Sequence, residues 1–496
     1  MNSPSLSFSG GFAVILALTI FYGIVRSLHL LYFHPLSKYP GPRLAAITDG
    51  WYAWHFDGGR WVHVVHELHK KYGDVIRIAP NELSFATLQS YPDIYGHAIK
   101  GKKTFLKSSL YDTGSQVVGV INSRDPIEAS RQRKYLSNGF SNKSLRDQEV
   151  LIHTYVDLFI EQLGKLGSPG SKGIDMSRAF NWITFDIVGD LAFGEPFQAV
   201  ENACTHPWIA LIFDAARWSI LFHVKERFPL LKFLIPFLVP KDMVSRFEQH
   251  HLLTKQKTQK RIELGTSNNR EDFFAYMMRK GGLSEAELQA QASVLIIAGS
   301  ETTSTALSGI LHLLLTNPEC LSALQKEVRE RFSSLNEITG DSTRQLPFLI
   351  GVIEEGLRMF SPTPIGRPRI SPGAMVDGHY VPAGTLVSTH PTSLSYDPRY
   401  WYRPEKFLPE RWIGDGYGDE KRASKPFSSG PRACMGTNLA YLEMRIIIAK
   451  MIFAYDWERK SEGDWMGKAK FYSFWEKPEN RVVFHPRPIE TPLVEV

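Results

Sequence analysis

The amino-acid sequence predicts a mainly α protein with small β-sheets, preceded by one N-terminal transmembrane helix. Three observations predict this class. Residues 143–280, 284–316 and 439–454 are helical in pattern, with apolar positions recurring about every turn. A stretch near the N-terminus holds no charged residue. Short strand-like runs, several bounded by Pro or Gly turns, lie at residues 75–78, 84–86, 376–380 and 482–484.

The N-terminal stretch, residues 6–25, is long enough to cross a bilayer as a helix. Its twenty uncharged residues match the hydrocarbon core of a membrane. Arg26, His29 and Lys38 follow, and no Lys or Arg precedes, so the rest of the chain is expected in the cytosol. A cleaved signal peptide is the alternative, but the leading residues are uncharged and no small-x-small site closes the apolar run. We expect a membrane anchor at residues 1–31.

After the anchor we expect a proline-rich hinge at residues 32–42. One catalytic domain is expected at residues 43–496. Hydrophobic content of 43% with 12% aromatics suits a large core, and no linker or repeat divides it. The net charge of +6 permits an acidic protein partner or an anionic membrane face, and no basic cluster indicates nucleic-acid binding. Three cysteines, an odd number, argue against a disulfide framework and suit the reducing cytosol.

The long helical segment carries an unusual internal sequence. Ser284 and Glu287 form a predicted capping box at its start, and Asn317-Pro318 predicts the start of the next helix. Between them, Gly299 is unfavourable in a helix interior, and Thr302 can bond a preceding carbonyl. We expect a local notch there that could hold a diatomic ligand and water. The sequence also predicts a helix at residues 61–72 and a turn at 80–83. Segment 228–237 is very apolar, which suits either a substrate entrance that faces the membrane or a plain core helix.

Cys434 lies in a glycine-containing loop that runs from Phe427 to Gly436 and precedes an apolar helix. Backbone N–H groups of such a loop, and the start of the helix, would stabilise a thiolate, which is a metal ligand. The alternative is a buried structural thiol, and Cys204 and Cys320 are interpreted as such ordinary thiols. The pattern Phe-x-x-Gly-x-Arg-x-Cys-x-Gly favours the ligand.

A second motif places Glu355 and Arg358 on one helical face, three residues apart. Arg411, in Pro409-Glu410-Arg411-Trp412, follows about fifty residues later. Taken in order with the cysteine loop and the Thr302 segment, these motifs resemble the cytochrome P-450 family. The resemblance covers nearly the whole chain and implies the family's fold.

The resemblance also implies roles for individual residues. Cys434 becomes the axial ligand of haem b iron, held in a loop bounded by Phe427 and Gly436. Thr302 would hydrogen-bond iron-bound dioxygen, and Glu301 would help relay protons. Glu355, Arg358 and Arg411 would form a buried network that braces the haem loop. Arg133, Arg369 and Arg432 match positions that bind the haem carboxylates, but Ala129 stands where relatives often have Trp or His, so one carboxylate contact is expected to be missing or supplied elsewhere.

The residues at 32–36 and 77–83 look like fungal enzymes of the isotrichodermin C-15 hydroxylase-like branch. This implies a single-pass protein of the endoplasmic reticulum membrane that hydroxylates, or oxidises in a related way, an apolar secondary metabolite, either a terpenoid, a polyketide or an alkaloid. Electrons would come from NADPH through NADPH-cytochrome P-450 reductase. A thiolate-haem isomerase or dehydratase that does not use dioxygen, and a non-catalytic haem-binding protein, are the alternatives. Candidate pocket-lining stretches are 104–118, 228–237, 294–298, 362–367 and 471–474.

Overall fold

The computed structural model describes residues 8–97, 103–112, 115–213, 226–228, 240–265 and 272–487. Most of the apolar segment predicted at 228–237 lies outside these residues. The described chain is mainly helical with small sheets, as predicted. Its α-helices are α1 (Phe8–Leu28), α2 (Arg43–Ile47), α3 (Gly50–Asp57), α4 (Trp61–Tyr72), α5 (Ser90–Tyr95), α6 (Pro126–Leu136), α7 (Asn142–Asp147), α8 (Glu149–Leu166), α9 (Met176–Phe193), α10 (Lys241–Glu263), α11 (Phe273–Lys280), α12 (Glu285–Thr316), α13 (Pro318–Arg331), α14 (Pro347–Met359), α15 (Pro391–Ser395), α16 (Thr437–Ala454) and α17 (Trp465–Lys468).

Helix α12 crosses the centre of the domain. Its 32 residues span roughly 48 Å at 1.5 Å per residue. The predicted capping box is confirmed, since Ser284 and Glu287 cap each other's backbone N–H groups. The predicted start of α13 at Pro318 is also confirmed. Helices α9, α14 and α16 pack around α12, and their apolar faces form the main core, for example Phe185, Leu314, Ile353 and Ile447.

The strands form four small sheets. One has five strands in the order β1-β2-β8-β5-β3, with β2 and β8 parallel, and a second has the order β4-β12-β9. Two hairpins, β6–β7 and β10–β11, complete the set. The strands are β1 (Val75–Ala79), β2 (Glu82–Phe85), β3 (Leu106–Lys107), β4 (Ile174–Asp175), β5 (Arg369–Ile370), β6 (Ala374–Val376), β7 (His379–Val381), β8 (Leu386–Thr389), β9 (Tyr455–Arg459), β10 (Lys470–Phe471), β11 (Trp475–Glu476) and β12 (Arg481–Pro486).

One strand prediction was wrong. Residues 376–380 do not form a single strand, because the chain reverses at Asp377 and Gly378, with φ of 44° and 75°, between β6 and β7. An Asp-Gly pair with two positive φ values is the turn that joins tight hairpins.

The N-terminal segment has two parts with different surroundings. Helix α1 is mostly exposed, and residues Gly11–Phe33 are long and apolar enough to cross a membrane. The hinge that follows packs on the domain instead: Leu36 is fully buried, and the Arg77 guanidinium donates to the carbonyls of Leu30 and Pro80. A side chain at Gly41 would place its Cβ 2.3 Å from the Arg77 carbonyl oxygen, so glycine permits this close approach. The predicted domain boundary at residue 43 stays a prediction.

Candidate active site

A cavity of about 300 Å³ lies between α12 and the loop that precedes α16. Cys434, Phe427 and Gly436 lie on its wall, as do Gly299 and Thr302 of α12. The structure therefore brings the two predicted motifs, more than 100 residues apart in sequence, to one cavity. Arg133, Arg369 and Arg432 also lie on this wall.

The Cys434 loop turns tightly enough to present its sulfur to the cavity. The Cys434 N–H donates to the Phe427 carbonyl at 2.9 Å. Gly430 has φ of 73°, and a Cβ there would lie 2.1 Å from the Tyr95 carbonyl oxygen. The exposed surface of the thiol faces the cavity. The protein packed around the thiol raises its pKa, and the Gly436 N–H, the Thr437 hydroxyl and the Arg133 charge oppose that rise.

The Gly299–Thr302 segment remains continuous α-helix. Thr302 Oγ1 donates to the Ala298 carbonyl at 2.7 Å, the back-bond expected from the sequence. Gly299 has a packing reason as well, because a Cβ there would lie 2.5 Å from Val188 Cγ2 on α9. The notch is therefore a patch of small and hydroxyl-bearing residues on an intact helix.

Glu301 does not line this cavity. Its side chain is buried on another face of α12, where its carboxylate accepts from Lys477 Nζ at 2.5 Å and from Thr305 Oγ1 at 2.8 Å. Burial raises the pKa of Glu301, and the Lys477 ammonium opposes that rise. The proton-relay role of Glu301 stays a prediction, and it would require the carboxylate to act from behind the helix.

Among the residues that the structure describes, no carboxylate forms a salt bridge with Arg133, Arg369 or Arg432 on the cavity wall. Arg133 donates to the Ala433 carbonyl, Arg369 to the Tyr111 hydroxyl, and Arg432 to backbone carbonyls. Arg432 Nη1 is buried without a hydrogen-bond partner in the described chain. Burial lowers the pKa of Arg432, and Arg369 and Arg133 lower it further.

Lys107 joins this group, and sequence reasoning missed it. It is buried on the cavity wall, directly opposite Arg369 in the β3–β5 pair, and its Nζ donates to the Ile121 carbonyl. Burial lowers its pKa to about 6, with Arg432, Arg369 and two further arginines adding to the effect. We call Lys107, Arg133, Arg369 and Arg432 the cavity cations. No salt bridge to a carboxylate forms at any of them within the described residues.

These residues fit haem b. The thiol can ligate iron, while the unsatisfied Arg432 Nη1 and the unpaired cations match an anionic group bound from outside the chain. Ala129 is buried and does not line the cavity, so Lys107 is a candidate for the contact missing there.

Glu355, Arg358 and Arg411 form the predicted network. All three side chains have no exposed surface. Glu355 pairs with Arg358 through two hydrogen bonds of 2.8 Å and with Arg411 Nε at 2.9 Å. Asp419 and Trp412 complete it: Asp419 pairs with Arg411 at 2.7 Å, and Trp412 donates to Glu355 at 2.9 Å. Asp419 lies in a glycine-rich loop without a motif, so sequence reasoning did not find it.

A second contact links the same helix to the cysteine loop. Glu354 accepts from the Tyr441 hydroxyl at 2.6 Å, and the Tyr441 ring packs on Phe427 with centroids 5.1 Å apart. This connection runs from α14 through α16 to the start of the Cys434 loop.

The rest of the cavity wall is largely apolar and includes Val120, Ile121, Val294, Leu295 and Ile365. Three predicted pocket stretches, 104–118, 294–298 and 362–367, contribute to it. The prediction for 471–474 was wrong: those residues do not line this cavity, and Phe471 packs in a core cluster with Trp475 and Phe360. This occurs because the β10–β11 hairpin turns these aromatic side chains inward.

Comparison with known proteins gives consistent results. A sequence model of the family described as cytochrome P-450 matches residues 50–483. The chain is 42% identical over 498 residues to cytochrome P-450 monooxygenase BOA3 of Botryotinia fuckeliana, covering 98% of this chain and 97% of that protein. It is 40% identical to cytochrome P-450 monooxygenase poxC of Penicillium oxalicum, covering 94% and 93%. It is 39% identical to cytochrome P-450 monooxygenase astJ of Aspergillus oryzae, covering 94% and 95%.

Proposed function

This chain belongs to the cytochrome P-450 family and is a monooxygenase of that family, and we propose that it hydroxylates, or oxidises in a related way, an apolar fungal secondary metabolite. The proposed substrate is a terpenoid, a polyketide or an alkaloid. Family members use haem b and receive electrons from NADPH through a reductase. The observation that carries the proposal is one cavity that combines a thiol, unpaired cations and an apolar wall with a threonine hydroxyl.

Different groups of residues on the cavity wall have different roles in the proposed reaction. Haem b, when bound, supplies the chemistry that activates dioxygen and transfers one oxygen atom to the substrate. Cys434 would hold the iron as a thiolate, stabilised by the Gly436 N–H and the Thr437 hydroxyl. The cavity cations would pair with the two carboxylates of the group and fix its orientation.

Thr302 supplies a hydroxyl at the reacting side of the cavity. Its Oγ1 donates to Ala298 and keeps acceptor lone pairs for another donor, so it can hold a proton-bearing water in place. Val294, Leu295 and the other apolar side chains exclude bulk water and select substrate by shape. One methylene changes such selection by about 1–3 kcal/mol.

The membrane assignment rests on the first helix, and the reductase assignment rests on the family. Helix α1 is apolar and exposed, which supports membrane anchoring. We propose a single-pass protein of the endoplasmic reticulum membrane whose catalytic domain faces the cytosol and receives electrons from NADPH-cytochrome P-450 reductase. Protease treatment of intact microsomes should digest the domain; full protection would contradict this orientation.

Co-expression with a reductase, followed by mass spectrometry of the host's metabolites, tests the function. We expect a product heavier by one oxygen atom that depends on NADPH and is absent with Cys434→Ala. Conversion that proceeds without NADPH and without dioxygen would contradict the proposal and favour a thiolate-haem isomerase or dehydratase.

Thr302→Ala tests the threonine separately. We expect haem to be retained while less product forms per NADPH consumed, because the hydroxyl that positions the proton donor is lost. Ser300→Ala is the matched control, since Ser300 makes the same back-bond, to Ile296, but does not line the cavity. Equal coupling in the two variants would remove Thr302 from this role.

A further inference from the structure

Glu301 and Lys477 form a buried ion pair, and neither residue lines the cavity. Lys477 follows β11 in the C-terminal part of the chain, and its Nζ lies 2.5 Å from Glu301 Oε1. The side chains of Lys477 and Glu301 are 3% and 4% exposed. Both charges are therefore removed from water, an arrangement that is costly unless the two stay together.

Lys477 binds one face of α12. Its ammonium contacts Glu301, Thr305 Oγ1 at 3.0 Å and Ser304 Oγ at 3.5 Å, and an ammonium has three donors for these three acceptors. Positions i, i+3 and i+4 share a helical face. Thr302 is offset from this face and points to the cavity, one residue from the ion pair.

Two further contacts surround the pair. Asn181 of α9 donates a hydrogen bond to the Glu301 carboxylate. The Phe213 ring lies 5.7 Å from Lys477 Nζ. Lys477 is the cation that faces Glu301 among the described residues, and Asn181, Ser304 and Thr305 are the polar neighbours.

Glu443 is a second buried carboxyl group, and no lysine contacts it among the described residues. It is completely buried on the neighbouring helix α16, with the Thr303 hydroxyl as its polar neighbour. Burial raises the pKa of Glu443 well above its ordinary value. Glu301, equally buried, differs by having a cation within hydrogen-bond distance.

We propose that Lys477 is a positioning residue for Glu301: its ammonium keeps this carboxylate ionised and directed away from the cavity, available as a proton acceptor next to Thr302. The inference rests on the proposed function, in which Thr302 handles protons. Without Lys477, Glu301 becomes a neutral acid that no longer accepts a proton at neutral pH.

Infrared difference spectra of the purified holoenzyme test this directly. Lys477→Met should show the carbonyl stretch of a protonated carboxylic acid, and the band should vanish in Lys477→Met/Glu301→Gln. Lys477→Arg should retain the wild-type carboxylate. Lys470→Met, which replaces an exposed lysine of the same region, should match wild type. A carboxylate that stays ionised in Lys477→Met would overturn the proposal.

Stability and coupling give two further readouts. Each single neutralisation should raise the equilibrium constant for unfolding by about 100-fold or more because it strands a buried charge, and the double variant should reverse most of that increase. The pH profile of product formed per NADPH should change in Lys477→Met and be rescued in Lys477→Arg; an unchanged profile would overturn the positioning role. Haem absorbance in the same samples reports separately on the proposed function.

Discussion

Two clusters of cations lie in the domain, and they differ in where their counter-charges come from. Arg358 and Arg411 meet Glu355 and Asp419 within the chain. The cavity cations meet backbone carbonyls and a tyrosine hydroxyl instead. The first cluster has its counter-charges in the polypeptide, whereas no carboxylate of the described residues forms a salt bridge with the second.

The pairing of strands β3 and β5 brings two basic residues of the second cluster together, which is unfavourable in the haem-free protein. Lys107 and Arg369 are direct partners across the β3–β5 ladder, and like charges opposite each other would destabilise a sheet, so the Arg369 charge helps to lower the pKa of Lys107. In the proposed function, the carboxylates of haem b would offset this repulsion. The comparison therefore separates residues that hold the fold from residues that we propose to bind the cofactor.

The largest effect is expected at the first cluster. Glu355→Gln should lower the free energy of unfolding by about 3–5 kcal/mol, because it leaves Arg358 charged and buried without its carboxylate. Urea unfolding monitored by circular dichroism measures this. Glu410→Gln, an exposed carboxylate in the same segment, should change stability by no more than about 0.5 kcal/mol. Similar losses in the two variants would contradict the distinction.

The second prediction concerns the cavity cations, where removing a charge should not lower the stability of the haem-free protein. At about pH 5, where Lys107 is protonated because its pKa is lowered only to about 6, Arg369→Met should leave the haem-free protein as stable as wild type, or more stable by about 0.2–1 kcal/mol, because the like-charge pair is removed. The same change should speed haem loss roughly 10- to 100-fold, since a charge-assisted hydrogen bond contributes about 1.5–3 kcal/mol. Haem transfer to an acceptor apoprotein gives the rate. If Arg369→Met weakened the haem-free protein as much as Arg358→Met, the two clusters would not differ in kind.

A pH dependence gives the smallest effect. The folded haem-free protein lowers the pKa of Lys107 from 10.5 to about 6, so the unfolded chain binds more protons between these values. Stability of the haem-free protein should therefore rise with pH above 6, by at most about 1.4 kcal/mol per pH unit. Lys107→Met should remove this slope, measured by unfolding at pH 6.5 and 8.5, and the exposed control Lys103→Met should keep it. Identical slopes in wild type and Lys107→Met would refute the lowered pKa of Lys107 as the cause of the pH dependence.

Local signals explain which parts could be predicted from sequence. The helix at 61–72 and the long helix with its capping box depend on residues within a few positions of each other, and both are confirmed. The turn at Asp377-Gly378 also had a local signal, which went unused. Lys107 and Lys477 had none, because strand pairing and an ion pair across 176 residues place them. Glu301 received a proton-relay role from the family resemblance, and it lies on a different face of α12 from Thr302 because adjacent helical residues point in different directions.

The most direct test of the account is the carbon monoxide difference spectrum of the reduced, purified protein. A thiolate-ligated haem shifts the Soret band of this complex to longer wavelength, and we predict that shift in the wild type and its loss in Cys434→Ala. A shifted band that survives in Cys434→Ala, or a wild-type spectrum typical of histidine ligation, would contradict it.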